Sequence, residues 1–332
     1  MLEPISIIGG GPAGAAAALA IARAGGHPVI YEKSTFPRHK VCGEFLSPEI
    51  LPVLEQAGLA DGFLSLGPAR ITQAELYFNR ARRRFRLPEP AYGMSRYTFD
   101  HFLLGKAVES GVELRRERYV HANGPVVTAG GRSAAVIRGR RIFGFKAHFR
   151  GPLNDAVELY FFPGGYCGLA PIETGTTNVC GLAPEELLRA HRFQVDDVLN
   201  AIPPLKSRLA PLARATRWYT TGPLRFGMTR QESSVLAAGD AMCFVDPFTG
   251  SGILSAVQTG AWGAEAVLRA AQGANWTSCC RWHPRRCAAF YRRQLATTTI
   301  IRRLLSLGWA ESLAPAVPGG LLFRLTRPAR LQ

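Results

Sequence analysis

The stretch Ile5-Ser6-Ile7-Ile8-Gly9-Gly10-Gly11-Pro12-Ala13-Gly14 decides the fold of the N-terminal part of the chain. The mostly apolar residues before Gly9 predict a strand, and the small residues after Gly14 predict a helix. Gly9 permits a tight turn, Gly11 lets the backbone approach a pyrophosphate, and Gly14 lets the helix lie close to the strand. The pattern therefore indicates a dinucleotide site at a strand-to-helix turn.

A second strand and an acid complete this pattern. Pro28-Val29-Ile30-Tyr31 is an apolar run that ends at Glu32. An acid about 20 residues after the glycines is placed to accept hydrogen bonds from a ribose. Pro12 suits the first turn of a helix, whose positive end would face the phosphates. A tight turn without a ligand is the alternative, but it does not explain the position of Glu32.

Composition limits the class of protein. The chain has 332 residues, 47% of them hydrophobic, which is enough for a large core. Seven cysteines, an odd number without metal-ligand spacing, indicate reduced thiols and no metal site. No apolar run is long enough to span a bilayer. We therefore expect a cytoplasmic protein.

Positive charge is concentrated near the C-terminus. The formal net charge is +16, and residues 281–332 hold ten arginines and one acid, Glu311. Apolar residues at helical spacing lie beside Arg302 and Arg303; they are Ile300, Ile301, Leu304, Leu305 and Trp309. This pattern predicts a helix packed on the body with a solvated basic face, or else a segment in peripheral contact with an anionic membrane. The basic residues are not interleaved with aromatic ones, which argues against nucleic-acid binding.

Helix and strand patterns alternate near both ends of the chain, and the middle is rich in strands. This order predicts an α/β fold, a doubly wound nucleotide domain with a second sheet inserted into it. We assign residues 1–70, 94–145 and 225–275 to the nucleotide domain and residues 71–93 and 146–224 to the inserted substrate domain. Residues 276–332 would form a C-terminal helical basic segment.

A second glycine-bearing motif follows a short buried strand predicted at residues 233–238. It consists of Gly239-Asp240 and then Asp246-Pro247-Phe248-Thr249-Gly250-Ser251-Gly252-Ile253. A carboxylate at the carboxyl end of a strand is placed to bind a hydroxylated chain in the crevice. The helix predicted from Gly252 would point its positive end at a flat ligand and favour negative charge there. A capped helix without a ligand is the alternative.

Four stretches together resemble a known group of flavoproteins. They are Gly9 to Gly14 with Glu32; Arg38-His39-Lys40-Val41-Cys42-Gly43-Glu44 with Leu46-Ser47-Pro48; Ser95-Arg96-Tyr97-Thr98-Phe99-Asp100; and Gly239-Asp240 with Asp246 to Gly252. They resemble the group that includes geranylgeranyl reductases and the p-hydroxybenzoate-hydroxylase type of aromatic monooxygenase (group A flavoprotein monooxygenases). The resemblance implies FAD in a Rossmann-like domain of the glutathione-reductase type, with an inserted β-sheet substrate domain.

The resemblance also implies which residues hold FAD. The glycine turn would hold the pyrophosphate, Glu32 the adenosine ribose and Asp240 the ribityl chain, and the loop at Pro247 would line the isoalloxazine ring. The implied cofactor-binding residues are Gly9, Gly11, Pro12, Ala13, Gly14, Glu32, Lys33, Arg38, Cys42, Gly43, Arg96, Gly239, Asp240, Pro247, Gly250, Ser251, Gly252 and Ile253.

The substrate pocket and the chemistry are less sharply indicated. We expect Tyr160, Phe162, Tyr166 and Gly168 to form the pocket, with core packing as the alternative. Cys42 is a candidate catalytic residue, since the resemblance places it near the flavin, and Arg38, His39 and Lys40 would favour its thiolate. The alternative is a small loop residue without chemistry. The lone histidines His121 and His148 are interpreted as structural.

Two departures from the group widen the range of functions. Gly130 stands where the hydroxylase-like members carry an aspartate, and Tyr166-Cys167-Gly168-Leu169-Ala170-Pro171 lacks two aromatic residues of the reductase motif. We expect an FAD-dependent oxidoreductase acting on a small lipophilic or aromatic substrate by hydride transfer through flavin N5, with NAD(P)H as a transient reductant. The alternatives are an aromatic monooxygenase acting through a flavin hydroperoxide and a redox-neutral FAD-containing cyclase or binding protein. The sequence does not indicate an oligomeric state.

Overall fold

The computed structural model describes residues 5–78, 81–120, 125–132, 139–229, 235–306 and 319–328. Its strands are β1 (Ile5–Ile8), β2 (Pro28–Tyr31), β3 (Phe45–Leu46), β4 (Ala69–Phe78), β5 (Ala81–Gly93), β6 (Glu113–Arg115), β7 (Val126–Thr128), β8 (Ile142–Arg150), β9 (Ala156–Phe162), β10 (Gly165–Ile172), β11 (Thr176–Pro184), β12 (Ala213–Arg214), β13 (Tyr219–Thr221), β14 (Gly227–Met228), β15 (Leu236–Ala237) and β16 (Cys243–Phe244). Its α-helices are α1 (Pro12–Arg23), α2 (Ile50–Gln56), α3 (Ala60–Ser65), α4 (Arg96–Glu109), α5 (Glu185–Ala190), α6 (Val195–Asn200), α7 (Pro203–Leu209), α8 (Gly252–Ala271), α9 (Trp276–Ser306) and α10 (Gly319–Thr326).

A parallel sheet organises the nucleotide half of the molecule. Its strands follow the order β15-β7-β1-β2-β6, and every pair in it is parallel. Helix α1 connects the paired strands β1 and β2, and α4 precedes β6, as the crossover connections of a parallel sheet require. The predicted α/β fold class, with its FAD-type nucleotide domain, inserted sheet and C-terminal helical segment, is confirmed.

The helices α1 and α8 pack on one another very closely. A Cβ atom at Gly260 would lie 2.1 Å from the carbonyl oxygen of Ala13, so only glycine permits this approach. Because α1 follows the first glycine motif and α8 follows the second, this contact fixes the two motifs relative to each other.

The inserted sheet has the order β12-β8-β11-β10-β9-β4-β5-β3, and β13 pairs with β8 at its edge. Its pairs are antiparallel except for β4 with β9. Since β8 runs from Ile142 to Arg150, the predicted domain boundary between residues 145 and 146 divides a strand. That boundary belongs before Ile142, because the hydrogen bonds of the whole strand lie within this sheet.

The C-terminal helix α9 lies against α8, and α10 lies against α9 and β5. Arg302 does not belong to a solvated face as predicted, since its guanidinium lies 3.1 Å from Asp246 and over the ring of Phe226. Ile300 is exposed, whereas Ile301 lines a cavity. The side chains of Leu304 and Leu305, together with Trp309 and His121, lie outside the described residues. Within the described part of the chain, no helix is both long enough and apolar enough to cross a membrane.

Candidate functional site

The first glycine turn is built by close backbone approach. Gly9 has a φ of +102°, and a Cβ there would lie 2.6 Å from the carbonyl oxygen of Ala129. A Cβ at Gly14 would lie 1.8 Å from the carbonyl oxygen of Gly9. Gly11 is different, because its nearest neighbours are the tips of Lys40 and Arg96, at 3.4 and 4.0 Å from the added atom. The N-terminus of α1 therefore opens onto free space with two cations beside it.

Glu32 ties the end of β2 to this turn. Its Oε2 accepts a hydrogen bond of 2.9 Å from the amide of Gly10, and its Oε1 accepts one of 2.7 Å from the amide of Ser34. The side chain is buried and lines the cavity described below. Each carboxylate oxygen can accept a further bond, so Glu32 remains able to bind a ribose hydroxyl.

An ion cluster stands opposite the N-terminus of α1. Arg96 donates two hydrogen bonds to Asp100, at 2.5 and 2.7 Å, and the Nζ atom of Lys40 lies 3.6 Å from the same carboxylate. Burial, and then the nearby Arg96, lowers the pKa of Lys40 to about 8. Two positive groups with one acid leave this wall net positive, which suits a pyrophosphate.

A cavity of about 1050 Å³ runs from the glycine turn to the second motif. This volume is slightly above the range of about 300–1,000 Å³ that is usual for small-molecule and cofactor sites. Of the predicted cofactor residues, those on its wall are Gly9, Gly11, Pro12, Ala13, Glu32, Lys33, Arg38, Cys42, Gly43, Arg96, Gly239, Asp240, Pro247, Gly250, Gly252 and Ile253.

Gly14 and Ser251 do not line the cavity, contrary to the prediction. Gly14 serves the packing of α1 against the turn, as its contact with Gly9 indicates. Ser251 is fully buried, and its hydroxyl interacts with Thr249 and with the amide group of Gln294. Both residues support the wall from behind.

The second motif closes the other end of the cavity. Gly239 follows β15 with a φ of +60°, and the neighbouring Asp240 has 42% of its side chain exposed toward the cavity. Arg132 lies 3.9 Å from this carboxylate. Gly250 has a φ of +64°, and a Cβ there would lie 2.6 Å from the ring of Phe45. The loop that ends at α8 is therefore pressed against β3.

A second, apolar cavity of about 190 Å³ adjoins the first. The residues on the walls of both are Gly43, Phe45, Tyr166, Cys180, Pro247 and Gly250. Apart from a few polar groups, the remaining wall is apolar and comes from β4, β5, β9, β10 and the C-terminal helices; it includes Leu76, Phe78, Phe85, Leu87, Leu159, Phe161 and Phe323. This junction lies where the resemblance places an isoalloxazine ring.

The predicted pocket residues divide between the two faces of the inserted sheet. Tyr166 and Gly168 line the apolar cavity. Tyr160 and Phe162 do not, because side chains alternate along β9 and these two point into the core on the other face. Their neighbour Phe161 takes the place on the pocket wall. Tyr160 instead stacks on Tyr77, with ring centroids 4.2 Å apart.

A buried ion cluster behind the loop was not predicted. Glu44 is fully buried with a φ of +52°, and its carboxylate pairs with Lys146 and with His148. It also accepts a hydrogen bond of 2.7 Å from the amide of Arg96. Burial opposes ionisation, but the hydrogen bond from His148 and the charge of Lys146 prevail and lower the pKa of Glu44. In the sequence, only the motif Cys42-Gly43-Glu44 drew attention to this acid. The motif does not indicate that Lys146 and His148 are its partners.

Cys42, the candidate catalytic residue, lies on the cavity wall. Its sulfur accepts a hydrogen bond from the amide of Glu44 at 3.4 Å. Burial raises the pKa of this thiol despite the opposing charge of Arg96. The raised pKa disfavours the thiolate, and a catalytic role for Cys42 stays a prediction. Among the described residues, no cluster of three His, Cys, Asp or Glu side chains suits a metal ion.

The residues present fit a bound dinucleotide. Gly11 leaves the N-terminus of α1 open, and two cations face it. The Nε atom of Arg38 and the Nδ1 atom of His39 are buried beside the cavity without a hydrogen-bond partner among the described residues. Residues 3–138 match the family model "FAD binding domain". This part of the chain is similar to FAD-binding domains.

Comparison with known proteins adds relatives of two kinds. The chain is 24% identical over 323 residues to 1H-pyrrole-2-carbonyl-[peptidyl-carrier protein] brominase of Pseudoalteromonas luteoviolacea, covering 82% of this chain and 79% of that protein. A shorter match, 46% identical over 55 residues, is to menaquinone reductase of Mycobacterium tuberculosis, covering 17% of this chain and 14% of that protein. The solved structure of the flavin-dependent brominase Bmp2 aligns with a TM-score of 0.79 at 20% identity, covering 98% of this chain and 93% of that one. At this identity the structural likeness shows the fold.

Proposed function

We propose that this chain is an FAD-dependent enzyme of the flavoprotein monooxygenase type that halogenates a compact aromatic substrate. The observation that carries the proposal is the junction of the two cavities at Gly43, Pro247 and Gly250. A ring lying there would touch a substrate in the apolar cavity. The brominase that aligns over 82% of the chain supports halogenation as the reaction.

When bound and reduced, FAD would supply two electrons to O₂ and a halide ion would supply two more, so that the oxygen is reduced to the level of water and the halide is oxidised to an electrophilic halogen. The chain's own contribution is to bind, orient and exclude water. Phe45 and Tyr166 form part of the shared wall, and the aliphatic and aromatic residues of β4, β5 and β9 enclose the substrate. Exclusion of water protects a reactive oxidant from side reactions.

The described wall of the apolar cavity contributes no aspartate, glutamate, histidine or lysine. The described wall therefore does not favour a reaction in which one of these side chains must act as acid or base on the substrate. Attack of an electron-rich carbon on an electrophile needs orientation above all, and this wall supplies it. The lack of such groups on the described wall favours halogenation of an electron-rich ring. It favours hydroxylation of such a ring equally.

A reductase is the second candidate. It is favoured by the local 46% identity to menaquinone reductase and by the apolar cavity, which would accept a quinone ring. The reductase proposal requires electrons to leave the flavin for an organic acceptor without O₂.

The deciding experiment uses the FAD-loaded protein reduced by dithionite without oxygen. One portion receives air-saturated buffer with bromide and a phenol, a second receives the same buffer without bromide, and a third receives menadione without oxygen. A brominated product in the first portion, recognised by its isotope doublet, supports the proposal. Oxygen insertion without bromide indicates a hydroxylase, and rapid anaerobic reoxidation by menadione without any halogenated product indicates a reductase; either result overturns halogenation.

A further inference from the structure

The apolar cavity contains a buried cation beside its junction with the larger cavity that would hold FAD (the FAD cavity). Arg327 follows α10, lies on the cavity wall and is only 8% exposed. One of its nitrogens, Nη2, donates to the carbonyl oxygen of Thr249 and lies 3.5 Å from the hydroxyl of Thr326. Thr249 precedes Gly250, which lies on the wall that the two cavities share. The guanidinium therefore lies near the position expected for the isoalloxazine ring of FAD.

The other nitrogens of Arg327 are not satisfied. The Nε and Nη1 atoms are buried and find no hydrogen-bond partner among the described residues. The Oε2 atom of Glu49 lies 4.0 Å from Nη1, beyond hydrogen-bond distance, and is itself without a hydrogen-bond partner among those residues. A guanidinium has five donors, and burying several of them unpaired is costly unless a ligand accepts them.

The surroundings of Arg327 in the cavity are mostly apolar. The Cζ atom of Arg327 lies 4.4 Å from the ring centroid of Phe323, and aliphatic and aromatic side chains surround both. Arg83, the other cation on the wall, already takes part in an interaction. Burial lowers the pKa of Arg327 to about 10, so the group remains charged near neutral pH.

We propose that Arg327 binds an oxyanion of the substrate, so that the apolar cavity takes a compact aromatic molecule bearing a carboxylate or phenolate. The inference rests on the proposed function, because it names the substrate class of that same site. The volume of about 190 Å³ is consistent with one ring, since an engineered apolar cavity of about 150 Å³ in another protein holds benzene. A planar guanidinium can hold an oxyanion with two parallel hydrogen bonds, which would fix the orientation of the ring.

Isothermal titration calorimetry on the FAD-loaded protein tests this inference without turnover. Benzoate against benzamide reports a preference for a carboxylate, and 4-nitrophenolate against 4-nitroaniline reports a preference for a phenolate. We expect the wild type to bind at least one anion about tenfold or more tightly than its neutral partner, the factor that one charge-assisted hydrogen bond supplies. R327M should abolish the preference, and R327K should retain part of it.

Two further variants separate recognition from structure. R324M removes an exposed arginine on the same helix and should leave the preference unchanged. E49Q removes the acid nearest to Arg327 and should strengthen anion binding. Equal binding of both members of both pairs to the wild type, or a preference that survives R327M unchanged, would overturn the inference. Loss of halogenation with the anion preference intact would instead refute only the proposed reaction.

Discussion

The Oε2 atom of Glu44 lies 2.7 Å from the Nε2 atom of His148, although the two residues are 104 positions apart in the chain. Glu44 belongs to the loop that lines the FAD cavity, and His148 belongs to β8 of the inserted sheet. Lys146, two residues earlier on the same face of β8, pairs with the other oxygen of the carboxylate. One buried acid therefore joins the cavity loop to the inserted sheet.

Replacing Glu44 by Gln should destabilise the protein by about 3–5 kcal/mol, because Lys146 would remain buried without a countercharge. Urea unfolding at pH 7 measures the change. The matched control is E109Q, which breaks the exposed pair with Lys106 and should change stability by less than about 0.5 kcal/mol. Because the folded state lowers the pKa of Glu44, its contribution is present above the unfolded pKa of about 4 and is lost as the pH falls through the lower folded pKa, so wild type and E44Q should approach each other in acid. Equal stability at pH 7 would show that the cluster does not tie the loop to the sheet.

Gly11 and Gly14 should respond differently to alanine. A Cβ at Gly14 would clash with a backbone oxygen, so G14A should lower both the folding stability and the affinity for FAD. A Cβ at Gly11 meets only the tips of two side chains but fills the space for the pyrophosphate, so G11A should fold normally and bind FAD at least about tenfold more weakly. Thermal unfolding of the apoprotein and FAD titration measure the two effects. Gly105, a helical glycine with open space around it, supplies the control G105A, which should keep full FAD affinity. Normal FAD binding by G11A would show that the pyrophosphate does not bind at this turn.

Asp246 should make stability depend on pH in the opposite sense to Glu44. Burial raises its pKa to about 6, although Arg302 opposes the rise. An aspartate with a raised folded pKa contributes stability below its unfolded pKa of about 4, and that stability is lost as the pH rises toward 6. Relative to D246N, the wild type should therefore lose about 2 kcal/mol between pH 4 and pH 8, most of the effect of a shift of about two pKa units.

Urea unfolding of wild type and D246N across pH 4 to 8 measures this difference. D61N, at an exposed position of α3, is the control for the substitution itself. R302L should extend the decline of the wild type to higher pH, because it removes the charge that holds the pKa of Asp246 down. A difference between wild type and D246N that does not vary with pH would contradict the burial of this carboxyl.

Lys40 should make FAD affinity fall as the pH rises through about 8. Its charge faces the open N-terminus of α1, and its pKa is lowered to about 8 by burial and by Arg96. Because a pyrophosphate favours the protonated amine, affinity should decline by up to about tenfold per pH unit above that value. K40M should bind FAD more weakly at pH 7 and show a flatter profile, whereas K106M, on the outer face of α4, should retain the wild-type profile. The same slope in K40M would assign the titration to another group.

Local sequence predicted the parts of the site that lie close together in the chain. The spacing from Gly9 to Glu32 sufficed for the first turn, and the small residues after Gly252 predicted a helix that the structure places at Gly252–Ala271. These predictions rest on backbone geometry that glycine alone permits and on one helical period.

The rest depends on contacts between distant segments or on a choice of face. Tyr160, Phe161 and Phe162 are all aromatic, so the sequence of β9 does not reveal which of them faces the pocket. The partners of Glu44 lie over 100 residues away on a strand whose register only the sheet defines. Arg327 reaches the pocket through the packing of α10 against β5 and α9, which no local pattern indicates.

We propose that two separate glycine motifs hold opposite ends of one FAD molecule. Calorimetric titration of the apoprotein with FAD, ADP and FMN tests it most directly. We expect one FAD per chain, bound much more tightly than either ADP or FMN alone. Failure to bind FAD, or binding of FMN or ADP alone as tightly as FAD, would contradict it.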